Sequence, residues 1–166
     1  KPDSVDICFL PHGNYQKLVV EEMKAKPKTG NIVTEDGEVL GKHNGLFNYT
    51  IGQRKGLGIA YKHPLYVIGF NGDRNEVIVG PNERLFTNRM ICKFYNFLDD
   101  TIHKELKAEG KIRYAANPSP CTARILDDDT MEVIFEEPQR AITPGQSVAF
   151  YNGTQLLGGA VIDRVC

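Results

Sequence analysis

The chain has 166 residues, 41% of them hydrophobic and 25% charged, with a formal net charge of −1. Such a chain is expected to be soluble and globular with a buried core, and its charge balance excludes strong attraction of the whole molecule to polyanions while leaving room for a local basic surface. No apolar run approaches the roughly 18 to 20 residues of a membrane-spanning helix, so no membrane partner is expected.

The opening Lys1-Pro2-Asp3-Ser4 lacks an initiator Met and any signal-peptide pattern, and reads as the start of a piece of a longer chain. Cys8, Cys92, Cys121 and Cys166 are too widely spaced for a CxxC metal knuckle and too few to staple a protein of this size, which points to a reducing, cytoplasm-type compartment.

In chain order, "DICF" at residues 6–9 places Cys8 ahead of a periodic stretch in which Tyr15, Leu18, Val19 and Met23 follow a 3.6-residue spacing. Asn14 is a suitable cap and Pro27 a stop, so a helix is expected over 14–25. Two hairpins follow, one turning at Asp36-Gly37 and one at Asn71-Gly72-Asp73, each flanked by β-branched or aromatic residues. Strands are then expected at 90–97, 111–116, 121–126, 131–136, 146–151 and 155–163, separated by clusters such as Asp127-Asp128-Asp129 and Thr143-Pro144-Gly145. Strands of this length and spacing suggest a closed antiparallel barrel. The expected organisation is mainly β: residues 1–27 with the cysteine loop and a short helix, a small β-rich central unit over 28–86, and a six-stranded barrel over 87–166.

A small barrel fills its own interior, so its chemistry belongs on loops. "YTIGQRKGLGIA" at 49–60 sets Arg54 and Lys55 among glycines that permit close approach to a phosphate, although a glycine-rich turn with solvated charges has the same appearance. "KIRYAANPSP" at 111–120 pairs a guanidinium, Arg113, with a stacking ring, Tyr114; the competing reading makes Tyr114 barrel core and Arg113 a surface charge. "QRAITPGQS" at 139–147 flanks a Pro-Gly turn with Arg140 and Gln146. His12, His43, His63 and His103 have no metal-ligand spacing, and the Asp127–Asp129 run lacks the features of a calcium loop. No metal site is expected. Cys8 is open between a buried thiol and a reactive one, because a following helix lowers a thiol pKa while Asp6 and an apolar pocket raise it.

Taken together, "DSVDICFLPHGNY", "NGLFNYTIGQRKGLGI", "KIRYAANPSPCTARI" and "AITPGQSVAFYNG" resemble, in that order, the carboxy-terminal half of the bacterial and mitochondrial tRNA-specific 2-thiouridylases. The resemblance implies a three-part enzyme: an amino-terminal ATP-pyrophosphatase domain with an SGGxDS motif that this sequence does not contain, a central domain, and a barrel similar to those of elongation factors. It further implies thiolation of C2 of the wobble uridine in lysine, glutamate and glutamine tRNAs, by adenylation with ATP and Mg²⁺ bound in the amino-terminal domain, followed by persulfide sulfur transfer. Cys8 then matches the persulfide-bearing cysteine, and a second cysteine outside this sequence would release the product by forming a disulfide. Arg113, Tyr114 and Gln146 match tRNA-contacting positions; Arg54 and Lys55 are added on chemical grounds as phosphate contacts. The implied partners are tRNA and a persulfide-carrying relay protein or cysteine desulfurase, in bacterial cytoplasm in preference to the mitochondrial matrix. The piece by itself is then expected to be inactive and to bind no ATP or Mg²⁺. The rival expectation is a non-catalytic, RNA-binding or translation-factor-like barrel.

Overall fold

The structure is a computed structural model that describes residues 20–21, 27–99 and 104–166. Val20 and Glu21 are helical, whereas the remainder of the helix expected over 14–25, apart from those two residues, and Cys8 lie outside the described residues. The chain divides into two compact units, Lys1–Gly80 and Pro81–Cys166. Among the described residues, no helix is long and apolar enough to cross a membrane.

In the first unit, strands β1 (Gly30–Thr34) and β2 (Val39–His43) form the first hairpin, with Gly37 at φ 85 in its turn. Strands β3 (Tyr66–Asn71) and β4 (Glu76–Gly80) form the second. Pairing of β1 with β4 in parallel joins the hairpins into one mixed sheet of order β2-β1-β4-β3. A parallel neighbour requires a long crossover, and residues 44–65 together with β3 supply it. Ile32, Val67, Val77 and Val79 are fully buried, and the crossover adds Leu57 and Leu65 to the same core.

One buried polar side chain organises this unit. His43 Nδ1 accepts the Gly45 N–H at 3.0 Å, which leaves the proton on Nε2 to be donated to the Asn75 carbonyl, also at 3.0 Å. Asn75 adopts φ 54 in the β3–β4 turn and donates its amide to the carbonyls of Lys28 and Thr29. A Cβ on Gly30 would stand 1.9 Å from the Asn75 carbonyl oxygen and 2.5 Å from His43 Nε2, so this approach is open only to glycine.

The second unit is the closed barrel. Its strands β5 (Phe86–Phe97), β6 (Glu105–Lys111), β7 (Ser119–Ile125), β8 (Thr130–Arg140), β9 (Ser147–Asn152) and β10 (Gln155–Val165) close in the order β10-β5-β8-β7-β6-β9, with every pair antiparallel. Inward positions recur with period two: Met90 and Cys92, Cys121 and Ala123, Met131, Val133 and Phe135, Val148 and Phe150, Ala160 and Ile162.

One expected strand is absent. Residues 111–116 do not continue as a strand after Lys111; the chain turns, with the Ala116 N–H donating to the Arg113 carbonyl at 3.0 Å. The strand that fills this place is β6, whose inward positions Leu106, Ala108 and Gly110 alternate with Glu105, Lys107 and Glu109. Charged residues and small inward side chains give it little β propensity on paper; its pairing with β7 and β9 makes it a strand.

The barrel core supplies two testable consequences. A Cβ on Gly110 would lie 2.8 Å from a Phe135 ring carbon and 2.9 Å from Cys121 Sγ, so Gly110→Ala should destabilise the barrel by about 1–3 kcal/mol in urea unfolding, the usual cost of overpacking. Burial, reinforced by Asp163 and the Cys121 thiol, pushes the Cys92 thiol up to about 12, and burial pushes Cys121 up to about 11. Both are therefore protonated at pH 8. Of Cys92, Cys121 and Cys166, only the exposed Cys166 should label rapidly with a maleimide in the folded chain, the others following on unfolding.

Candidate nucleic-acid interface

Antiparallel closure sorts the barrel loops by end. The turns 112–118 (β6 to β7) and 141–146 (β8 to β9) share one end with the start of β5 and the finish of β10. The finish of β5, the start of β6 and the turns 126–129 and 153–154 occupy the other. Arg113, Tyr114 and Gln146 therefore converge on one end although Gln146 lies far from the other two in sequence.

The first of these ends is tightly braced. Arg113 Nη2 donates to the carbonyl of Arg140, tying one loop to the other. Arg140 Nε donates to Asn82 Oδ1 at 3.1 Å, and the Ala141 N–H donates to the Leu85 carbonyl at 2.7 Å, with Ala141 at φ 56. The Pro144-Gly145 turn is pinned to β10: the Gly145 N–H reaches the Ile162 carbonyl and the Ile162 N–H the Gln146 carbonyl, both at 2.8 Å. Backbone strain at Ala141 and positive φ at Gly145 are thus held by hydrogen bonds. The Gln146 side chain stays exposed on this support.

Tyr114 is 81% exposed, which rejects its reading as barrel core. Lys111 Nζ lies 5.6 Å from its ring centroid, within cation–π range. Sequence reasoning did not assign Lys111; its signal was the basic residue two positions before Arg113 at the end of an alternating strand. This end thus presents Lys111, Arg113 and Arg140 with an exposed ring and an amide.

The other end has the opposite character. Asp127, Asp128, Asp129, Asp99 and Glu105 lie there. Asp127 acts as a turn cap: its Oδ1 accepts the N–H groups of Asp129 at 3.0 Å and Thr130 at 2.8 Å, and the Asp129 donor leads in holding the carboxyl below its usual range. This is the solvated hairpin tip expected for the aspartate run.

Arg54 and Lys55 belong to the first unit, and both are exposed. Gln53 between Gly52 and Arg54 holds their loop together: its Oε1 accepts the Thr50 N–H and its Nε2 donates to the Lys55 carbonyl, both at 3.0 Å. Its backbone pairs with Val67 of β3, with the Val67 N–H on the Gln53 carbonyl at 2.9 Å. Gly52, Gly56 and Gly58 sit at φ 86, 77 and 67, values that explain the glycine spacing by backbone conformation. Among the described residues, no cluster of three or more His, Cys, Asp or Glu side chains could hold a metal.

Residues 87–162 match the family model described as the aminomethyltransferase beta-barrel domain, and residues 17–81 match the one described as the tRNA methyl transferase PRC-barrel domain. Proteins named tRNA-specific 2-thiouridylase are similar over almost the whole chain. That of Clostridioides difficile is 44% identical over 99% of this chain and 46% of its own length. That of Carboxydothermus hydrogenoformans is 45% identical over 99% and 45%, and that of Geobacter metallireducens 43% identical over 98% and 44%. The chain spans about half the length of the curated relatives it matches. Both successive domains match in order, and the identity is even across relatives from different genera, so the chain belongs to the tRNA-specific 2-thiouridylase family, as the part carrying its central and carboxy-terminal β-barrel domains.

Proposed function

We propose that this chain contributes the sulfur-carrying cysteine and part of the tRNA-gripping surface of an enzyme that thiolates C2 of the wobble uridine in lysine, glutamate and glutamine tRNAs. The observation that carries the reading is the gathering of Arg113, Tyr114 and Gln146 at one barrel end, in a chain similar to enzymes named for acting on tRNA. A guanidinium pairs with backbone phosphate, an exposed ring stacks on an unpaired base, and an amide reads a base edge or a ribose hydroxyl. The braced loops lower the ordering cost of such contacts.

Cys8, outside the described residues, is assigned the persulfide, loaded by a relay protein or a cysteine desulfurase. Its terminal sulfur attacks the adenylated C2 of the uridine and displaces AMP. A second cysteine then attacks Cys8 Sγ, breaking the S–S bond so that the sulfur stays on C2 and a disulfide remains on the enzyme. The ATP and Mg²⁺ that activation uses are assigned to the ATP-pyrophosphatase domain of the enzyme; the described residues do not fit that role, having no candidate metal cluster and no phosphate-gripping order of glycines and hydroxyls in 52–58. Bacterial cytoplasm is the assigned compartment.

Two measurements test the reading. In the full-length enzyme Arg113→Ala should weaken tRNA binding and reduce the log–log salt slope by about 0.7–0.9, one phosphate contact's worth; unchanged affinity and slope would return Arg113 to a surface charge. Persulfide trapping with mass spectrometry after incubation with a cysteine desulfurase should label Cys8, and label on Cys92 or Cys121 instead would sink that assignment.

A further inference from the structure

The barrel and the first unit treat their cations differently. On the barrel wall, Arg89 meets Glu132 at 2.6 Å, Lys93 meets Asp163 at 3.1 Å, Arg124 meets Glu105 at 3.2 Å, and Arg164 meets Asp163 at 2.9 Å. In the first unit, the sequence from Val39 to Gly72 contains Lys42, Arg54, Lys55 and Lys62 and no acidic residue. Among the described residues Arg54, Lys55 and Lys62 make no ion pair. Among the described residues, positive charge is concentrated on the crossover with no ion-pair partner there, in a chain whose net charge is −1.

The crossover also forms a cleft. Arg54 and residues 56–65 line an open concavity of about 500 Å³, with Arg54, Tyr61, Lys62 and His63 on its surface and Leu57 and Leu65 connecting it to the core. That volume lies in the range of small-molecule and nucleotide pockets, roughly 300–1,000 Å³. The Tyr61 and His63 rings meet edge to face with centroids 4.9 Å apart, and Lys62 Nζ lies 5.7 Å from the Tyr61 centroid. Gly58 adopts φ 67, and a Cβ there would meet nothing within 4 Å, so the backbone at the cleft is open to a ligand. Cations beside a paired set of aromatic rings, with no carboxylate among the described lining residues, suit a ligand that alternates phosphates and flat heterocycles.

We infer that this cleft of the central unit binds one or two nucleotides of single-stranded RNA, with phosphates on Arg54 and Lys62 and a base against Tyr61. The inference rests on the reading that the chain acts on RNA, and adds a second contact surface, on the unit that does not carry Arg113. A duplex would present its phosphates but keep its bases stacked away from Tyr61, so the aromatic contribution selects single strands.

The test is fluorescence anisotropy of the 166-residue chain with a labelled eight-nucleotide single-stranded RNA and with a duplex of the same length, over a salt series. Arg54→Ala and Lys62→Ala should each weaken single-strand binding and lower the log–log salt slope by about 0.7. Tyr61→Leu should weaken it about 5- to 150-fold, the range for loss of one base–aromatic stack, while Tyr61→Phe retains the ring and binds as the parent. These effects should persist in an Arg113→Ala background. Weakening by Arg113→Ala with none from the cleft variants would overturn this inference and leave the barrel surface standing. Equal affinity for duplex and single strand, or equal loss from Tyr61→Phe and Tyr61→Leu, would overturn the stacking role. Cleft effects without any Arg113 effect would support the cleft and count against the barrel reading.

Discussion

Closure of the barrel between β6 and β9 is the constraint on which the proposed RNA surface depends. The seam consists of the pairs Glu109↔Tyr151, Gly110↔Phe150 and Lys111↔Ala149. Without it, β6 and β9 would each present an unpaired edge, and the Phe135 and Phe150 rings would lose the wall that covers them. Gly110 makes the seam possible, because its missing side chain is the space that the Phe135 ring and Cys121 Sγ occupy. The chain leaves the barrel wall directly after this seam, at Ile112, and Arg113 and Tyr114 follow. Their projection at the barrel end is a consequence of where the sheet closes.

Electrostatic organisation follows from the same geometry. On the wall, Glu132 is almost fully buried between Arg89 and Arg124, whose guanidinium groups cover it. Such pairing removes charge from the outside of the barrel and adds little net stability, since the desolvation of the carboxylate offsets much of the attraction. The two ends also differ in their charged residues: Lys111, Arg113 and Arg140 lie where the loops 112–118 and 141–146 meet, and Asp127, Asp128 and Asp129 where the 126–129 turn lies. A polyanion would approach the cationic end and be turned away from the acidic one, an effect that salt weakens over a Debye length of about 8–10 Å.

The first unit meets a different requirement. Its sheet includes a parallel pair, and the long crossover that this pair demands is held with one short 3₁₀ turn at Leu46–Asn48 and no α-helix among its residues. Leu57 and Leu65 anchor it in the core, Gln53 ties its turn to itself and to β3, and the glycines take the backbone conformations that other residues resist. The hydrogen-bonded set of His43, Asn75 and the start of β1 fixes the sheet beneath it. Arg54, Lys55 and Lys62 are thereby displayed on a supported loop.

Much of this was legible in the residues. Alternation in Met131-Glu132-Val133-Ile134-Phe135 and in Ser147-Val148-Ala149-Phe150 determined strands with one inward face, and Asp36-Gly37 determined the first hairpin turn, because period-two burial and the positive φ of Gly37 are local demands that leave a local mark; Asn71-Gly72-Asp73 marked the second turn, although its positive φ falls on Asn75. The segments quoted around Gly52, Arg113 and Gly145 were enough to suggest the family. Tertiary structure alone decided the rest. The parallel β1–β4 pair and the β6 strand are non-local: a sequence as charged as Glu105–Lys111 becomes a strand only because two neighbours offer it backbone partners. For the same reason Tyr114 could not be told from a core residue in the sequence, since its exposure depends on the barrel having already closed at Lys111. The meeting of Arg113 with Arg140 and Gln146 is likewise a product of closure, which brings together at one end residues that the chain keeps well apart.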